Sequence, residues 1–298
     1  MKRIHNPLSL EVAQNLTGHL QLLQTLAGRD GYRFWVGGLL PPAKLAGLAQ
    51  KFAERYPILA GNNRRAYDTK NGRASVRFLA FPDGDMVAWW LVSTEGKGGL
   101  ADSTSIDFKS ARDATRTDSH ITCGDYVLVH ATKLSPRVVK GKKIVKNVST
   151  WTWKMKPEVY NGACALIEQF AKNLEYGDEG DEETGRRAYG LRHYLALQRR
   201  RPLAAGVRNQ VIELHRHADS VWGNVRKQWI GRHTELAKKY GKSAGALRPL
   251  NQVIHNHLPL MVRIKVYGDA PRTIGDLLAT APVAPAAVPA KVGPGLAA

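Results

Sequence analysis

Two β-prone runs joined by a tight turn decide the fold class of this chain: residues 74–81 read ASVRFLAF, residues 86–93 read MVAWWLVS, and PDGD lies between them at 82–85. Branched and aromatic side chains favour strands. An Asp-Gly step is typical of hairpin turns, because glycine accepts the positive φ that such turns require. The stretch therefore predicts an antiparallel hairpin with Gly84 in its turn.

Helices and further strands are predicted on both sides of this hairpin. The upstream elements are a helix over 8–27, a strand at 32–36, and a second helix that begins at Pro41-Pro42 and ends before Pro57. The downstream elements are a long surface loop over 95–118, strands at 120–122, 126–132 and 145–155, and a helix that begins at Pro157. This order predicts an α+β fold with a mainly antiparallel sheet and covering helices.

Composition divides the chain into four segments. They are an α+β domain over 1–174, an acidic, glycine-containing linker over 175–185, a basic helical module over 186–278, and a flexible Ala/Pro-rich tail over 279–298. The linker is either a solvated loop or a mimic of a nucleic-acid strand. Within the module we expect helices over 186–201 and 207–240, and a strand over 260–266 that returns to the first domain's sheet.

Positive charge is the strongest indication of function. The 298 residues carry 44 Lys and Arg against 25 Asp and Glu, for a net charge of +19. The excess is confined to 133–156, which has eight basic and no acidic residues, and to 186–250, which has fifteen basic and three acidic residues. Basic residues that serve only solubility would be distributed along the chain. A surface that binds successive phosphates needs its basic residues close together. The alternative is two solvated faces that bind nothing.

Within these two segments we predict a set of residues that bind nucleic acid. The set is Lys140, Lys142, Lys143, Lys146, Trp151, Trp153, Arg199, Arg200, Arg201, Arg226, Lys227 and Arg232. The two tryptophans are two residues apart on a predicted strand and so lie on the same face. They stack on bases there or belong to the core, and the sequence leaves both interpretations open.

Paired histidines give a second, catalytic hypothesis. His120-Ile121-Thr122 and His130-Ala131-Thr132 match the His-x-Thr pattern of two-histidine phosphoesterases, in which the imidazoles act as acid and base. The two matches lie only ten residues apart, closer than such enzymes place them, although a hairpin would allow the histidines to meet. His215 and His217 fall within a predicted helix and point apart, and no metal site or cofactor is expected.

Cysteine usage and hydropathy bear on location. Cys123 and Cys164 are the two cysteines, too few for a disulfide scaffold, and no apolar run is long enough to cross a bilayer. Pro7 and Glu11 interrupt the start of the chain where a signal peptide would be apolar. We therefore predict a cytoplasmic protein.

The leading hypothesis is a nucleic-acid-binding protein of a prokaryotic cytoplasm that follows the phosphate backbone of RNA or DNA. A plasmid, phage or defence system is a setting in which we expect it. The first alternative is a metal-independent endoribonuclease or nuclease subunit that uses His120 and His130. The second is a basic scaffold for protein partners. We expect a binder rather than an enzyme, because neither His-x-Thr match has the separation that the chemistry requires.

Overall fold

The computed structural model describes residues 6–139, 142–172, 190–240, 258 and 264–280. The strands are β1 (Glu11–Val12), β2 (Phe34–Leu40), β3 (Val76–Asp83), β4 (Met86–Ser93), β5 (Arg112–Asp113), β6 (Ile121–Cys123), β7 (Tyr126–Val139), β8 (Lys142–Met155) and β9 (Arg272–Thr273). The helices are α1 (Leu16–Gly28), α2 (Pro42–Arg55), α3 (Asn62–Lys70), α4 (Pro157–Lys172), α5 (Leu191–Gln198), α6 (Ala205–Tyr240) and α7 (Ile274–Thr280).

The predicted hairpin is confirmed as β3–β4, which forms one side of a four-stranded antiparallel sheet with the order β3-β4-β2-β5. Asp83 pairs with Met86 across the turn, and Gly84 has a φ of 60°, as the Asp-Gly step predicts. The α+β class with antiparallel sheets and packed helices is therefore confirmed.

A second antiparallel sheet has the order β6-β7-β8. β6 pairs with β7 only over three residues, from Ile121 opposite Leu128 to Cys123 opposite Tyr126. β7 and β8 pair with each other over their whole length, from Tyr126 opposite Met155 to Val139 opposite Lys142. Both strands are longer than the predicted 126–132 and 145–155.

Helix α1 joins the two sheets. The indole Nε1 of Trp153 on β8 donates to the carbonyl of Leu20 at 2.8 Å, and Gln24 Nε2 donates to the carbonyl of Trp151 at 2.9 Å. On its other side, the ring of His19 lies 4.6 Å from that of Trp90 on β4. Leu20, Trp90 and Trp153 belong to the larger hydrophobic core, which also includes buried side chains of α4, α5 and α6.

The opposite face of the four-stranded sheet forms the second core. Along β2, Trp35 belongs to the first core and Val36 to the second, as alternation along a strand requires. Leu45 and Phe52 of α2 and Ile274 of α7 pack on this second face. The helix over 42–55 is confirmed, with Pro42 in its first turn.

Two further predicted elements differ from the structure, and one helix was not predicted. The helix over 8–27 begins only at Leu16, where the Asn15 side chain accepts from the amide of Gly18, and a 3-10 turn and β1 precede it. Helix α3 was not predicted, because its sequence has no apolar stripe. Ile264, Lys265 and Val266 are not in a strand; the returning strand is β9, which pairs with β1.

Helices α4, α5 and α6 pack against the second sheet. The amide of Gly206 donates to Thr152 Oγ1 at 2.9 Å, and the side-chain amide of Gln210 bonds both backbone groups of Met155 on the edge strand β8. The predicted boundary between an α+β domain and a helical module stays a prediction. The acidic linker at 175–185 and residues 281–298 of the tail lie outside the described residues.

Candidate nucleic-acid interface

Strands β7 and β8 extend well beyond the rest of their sheet. In the described part of the chain, residues of β7 after Leu128 pair with β8 alone. From Val129 to Val139, a rise of about 3.4 Å per residue gives a ribbon roughly 35 Å long. We call residues 133–139 and 142–148 the outer ribbon, and Tyr126–Val129 with Thr152–Met155 the ribbon base.

The register of the outer ribbon groups its basic positions. Ser135 is opposite Lys146, Arg137 opposite Ile144, and Val139 opposite Lys142. Because residues alternate between faces along a strand and opposite residues share a face, positions 133, 137, 142 and 146 fall on one face of the ribbon. Position 143 falls on the other face. The side chains of Lys142, Lys143 and Lys146, and the whole of Lys140, lie outside the described part of the structure.

The two tryptophans at the inner end of this ribbon have different surroundings. Trp153 is fully buried, so the core interpretation is the correct one for this residue and its ring offers no surface for a base. Trp151 is half-buried, and its ring lies 4.8 Å from the exposed ring of His130 across the strand pair. Of the two predicted stacking residues, Trp151 alone keeps an accessible ring.

The three arginines predicted to bind nucleic acid after α5 also differ in their surroundings. Arg199 and Arg200 are exposed. Arg201 donates from Nε to Gln198 Oε1 at 2.7 Å and from Nη1 to Asp125 Oδ2 at 3.1 Å. Since Arg201 connects the end of α5 to the turn between β6 and β7, it already has a structural partner, whereas its two neighbours are exposed to solvent.

The remaining predicted binding residues lie on α6. Lys227 is exposed, whereas the side chains of Arg226 and Arg232 are outside the described part of the structure. The helix itself is confirmed over Ala205–Tyr240, so His215 and His217 are on a helix as predicted. His217 is near Glu168 of α4, with 3.5 Å between Nε2 and Oε1.

The two histidines of the catalytic hypothesis do not face each other across a strand pair. His130 on β7 is opposite Trp151, and His120 comes just before β6. Ile121 is opposite Leu128, which shares a face with His130, so continued alternation from β6 would put residue 120 on the other face. Burial lowers the pKa of His120, and the charge of Asp118 opposes this effect. The register thus gives His120 and His130 no common face on which to act together, and the nuclease hypothesis stays a prediction without support from this geometry.

A cavity of about 190 Å³ between the two sheets was not predicted. Its walls include the β2 glycine Gly37, the indoles of Trp35 and Trp90, and the polar groups Arg112, Cys123 and Lys156. A Cβ at Gly37 would lie 2.6 Å from the carbonyl oxygen of Trp89, so glycine is required there. Burial raises the pKa of the Cys123 thiol to about 12, which keeps it neutral and unreactive. The walls of the cavity come from segments that are distant in the chain, so no local sequence pattern reveals the cavity.

Among the described residues, no group of three or more His, Cys, Asp or Glu side chains is arranged to hold a metal ion. No helix in the same part of the chain is long and apolar enough to cross a membrane. No protein-family model, curated protein or solved structure matches the chain.

Proposed function

We propose that the protein binds nucleic acid through its phosphate backbone, with the outer ribbon as the main contact. The observation that carries this proposal is the extension of β7 and β8 past their sheet, in a segment with eight basic and no acidic residues between 133 and 156. A ribbon that pairs only with itself contributes little to a core. Its length and charge therefore favour a role in binding.

Double-stranded DNA is the ligand that this shape favours. The major groove of B-form DNA is about 12 Å wide and admits a two-stranded ribbon, whereas the major groove of an RNA duplex is too narrow for side chains to read. Basic positions on one face of the ribbon suit the phosphates that line such a groove. Arg199, Arg200 and Lys227 are further exposed basic residues outside the ribbon.

The test compares two triple variants that lose equal charge. One replaces Lys133, Lys142 and Lys146, which share a face of the ribbon, by glutamine, and the control replaces the exposed Lys44, Lys51 and Lys70 of α2 and α3. Binding to labelled duplex DNA, single-stranded DNA and single-stranded RNA is measured over a range of salt concentrations. The slope of log affinity against log salt changes by about 0.9 for each lost duplex phosphate contact.

We expect the ribbon variant to lose about two to three units of that slope and the control to keep the wild-type slope. An equal change in both variants would mean that net charge alone drives binding. Absence of duplex binding by the wild type at low salt would reject the proposal, and tighter binding to a single strand would reject the preference for duplex DNA.

For location we propose the cytoplasm. Cys123 and Cys164 are both free thiols, as expected in a reducing compartment.

A further inference from the structure

The cavity between the two sheets lies where one face of the four-stranded sheet passes from the core to solvent. Trp35, Gly37 and Leu39 alternate along β2 and therefore share this face. Trp90 on β4 is opposite Gly37, and all four residues line the cavity. Trp35 and Trp90 are buried, whereas Leu39 is 58% exposed. The cavity is therefore open to a dissolved ligand at its Leu39 end.

Small residues leave this space in the fold. Gly37 has no side chain, and a Cβ there would lie 3.2 Å from the rings of both Trp35 and Trp90. Ala88 on β4 contributes only a methyl group to the wall. From the second sheet, the wall is completed by Gly124, which has a φ of 51° in the turn between β6 and β7. The volume of about 190 Å³ thus follows from side chains that are absent or short.

Both indoles of the cavity are fixed by hydrogen bonds. Nε1 of Trp35 donates to the carbonyl of Ser119 at 2.8 Å. Nε1 of Trp90 donates to the carbonyl of Thr122 on β6 at 3.0 Å, which connects the two sheets. The walls are therefore in place without a ligand. Because both indole N–H groups already have an acceptor, these walls favour an aromatic ring, which packs well against indole carbon atoms.

The rim of the cavity carries two cations and one carboxylate. Arg112 and Asp83 are exposed, and Lys156 is half-buried. The guanidinium carbon of Arg112 lies 5.2 Å from the centre of the Trp35 ring, which holds this group above the cavity wall. Among the described residues, no ion pair involves any of these three charged groups. Two positive charges against one negative charge leave the lining with a net charge of +1.

Neighbouring acidic groups do not neutralise this excess. The carboxylate of Asp113 on β5 lies 3.9 Å from the guanidinium of Arg33. The carboxylate of Asp125, next to the β6–β7 turn glycine, lies 3.1 Å from that of Arg201 across an ion pair. Burial raises the pKa of the Cys123 thiol to about 12, so this lining residue stays neutral. The excess positive charge is therefore available to an anion from solution.

We propose that the cavity binds a small aromatic carboxylate, with its ring against the two indoles and its carboxylate at the rim beside Arg112 and Lys156. An apolar cavity of about 150 Å³ holds benzene, so the volume of about 190 Å³ suits one ring with a small substituent. A net charge of +1 matches a monoanion, and guanidinium donates paired hydrogen bonds to a carboxylate. The site goes beyond the proposed function, because no residue of the outer ribbon lines it.

The first experiment is a calorimetric titration of the full chain with benzoate. Benzamide is the neutral ligand of nearly the same shape, and cyclohexanecarboxylate keeps the charge without the aromatic ring. We expect benzoate to bind at least about tenfold more tightly than benzamide, because a charged acceptor forms stronger hydrogen bonds than a neutral one. Absence of benzoate binding, or equal affinities for benzoate and either comparison ligand, would overturn the proposal.

The second experiment locates the carboxylate at the rim. Arg112→Gln changes an exposed residue, so the variant should fold, and we expect it to bind benzoate about tenfold more weakly and benzamide as the wild type does. Arg116→Gln removes the same charge from a side chain that is 71% exposed and does not line the cavity, and should keep the wild-type affinity. Equal losses in the two variants would overturn the site, because net charge alone would then account for binding.

The third experiment fills the cavity. Ala88→Val adds two methyl groups to the wall, and we expect it to weaken benzoate binding at least about tenfold. Thermal unfolding without ligand shows whether the variant is folded, and an unchanged affinity in the folded variant would overturn the proposal. If Ala88→Val does not fold, the comparison of Arg112→Gln with Arg116→Gln decides.

Two further titrations separate this site from nucleic-acid binding. Uridine 5′-monophosphate carries a sugar and a dianionic phosphate that exceed the space and charge of the cavity, so we expect it to bind more weakly than benzoate. Tighter binding of the nucleotide that is lost in Arg112→Gln would overturn the choice of a carboxylate. The ribbon triple variant should bind benzoate like the wild type, so a failure of duplex binding would reject the proposed function and leave this site standing.

Discussion

The two ends of the β7–β8 strand pair have opposite surroundings. At the ribbon base, Tyr126, Leu128, Trp153 and Met155 are buried in the larger core, and β6 adds a third strand. In the outer ribbon the same two strands pair only with each other among the described residues, and their sequence is basic. The base therefore depends on apolar burial, whereas the basic sequence of the outer ribbon is the part for which we propose a role in binding. Substitutions at the two ends should have separable effects on stability and on binding.

The largest expected effect is at the base. Trp153→Ala removes a fully buried indole and the hydrogen bond to the Leu20 carbonyl, and we expect it to lower the free energy of unfolding by about 3–5 kcal/mol. Urea denaturation measures this change. A variant that keeps wild-type stability but loses nucleic-acid binding would contradict the assignment of Trp153 to the core.

Acid should weaken the core between α1 and the four-stranded sheet, where His19 is buried, without changing the charge of the outer ribbon, which contains no histidine. Burial lowers the pKa of His19 from 6.5 to about 3, so the unfolded chain binds a proton at a higher pH than the folded chain. The stability due to neutral His19 is therefore complete above about pH 6.5 and falls by about 1.4 kcal/mol per pH unit as the pH decreases toward 3.

Urea denaturation of the wild type and His19→Leu between pH 7 and pH 4.5 tests this prediction. We expect the difference between the two free energies of unfolding to shift in favour of the variant as the pH falls. His130→Ala, at an exposed position, is the control and should follow the wild type. Parallel pH profiles for the wild type and His19→Leu would contradict the prediction.

Substitution of Trp151 tests where the ribbon base ends along the β7–β8 strand pair. If its accessible ring stacks on a base, Trp151→Ala should weaken binding to single-stranded nucleic acid by about 1–3 kcal/mol. Its stability should fall less than that of Trp153→Ala, because the ring is only half-buried. Fluorescence anisotropy and urea denaturation give the two values. A loss of stability as large as that of Trp153→Ala, with unchanged binding, would extend the base to include Trp151.

The smallest effect is expected at His120 and His130. With no common face for the two imidazoles, the wild type and both alanine variants should leave labelled RNA intact in EDTA and bind it similarly, since neutral imidazoles contribute few phosphate contacts. Gel electrophoresis of the RNA measures this. Cleavage by the wild type that falls by two to four decades in either variant would instead establish acid–base catalysis.

Local signals account for much of what the sequence predicts correctly. The Asp-Gly turn fixed the β3–β4 hairpin, Pro42 marked the start of α2, and the apolar stripe identified α6. The two tryptophans share a face as their spacing predicts, but their burial differs because α1 ends at Gly28. Trp153 bonds to the carbonyl of Leu20 in the middle of α1, whereas Trp151 lies beside the last residue of that helix: a Cβ at Gly28 would be 3.2 Å from the Trp151 ring. No spacing rule contains that information.

Other features depend on contacts that a linear pattern does not contain. The outer ribbon was predicted too short, because lysine-rich residues have low strand propensity and form strands here through pairing with the opposite strand. The cavity between the two sheets is lined by Trp35, Trp90 and Lys156, which lie far apart in the chain. Contiguous charge is visible in the sequence, whereas a cavity assembled by folding is not.

The outer ribbon, whose two strands pair only with each other among the described residues, also affects whether copies of the protein associate. An unpartnered strand edge is a template for association with another copy, and lysines along such an edge prevent this by mutual repulsion. A polyanion that neutralises these lysines removes the repulsion between copies. Mixtures near charge balance should therefore become turbid, and excess of either component or added salt should clear them.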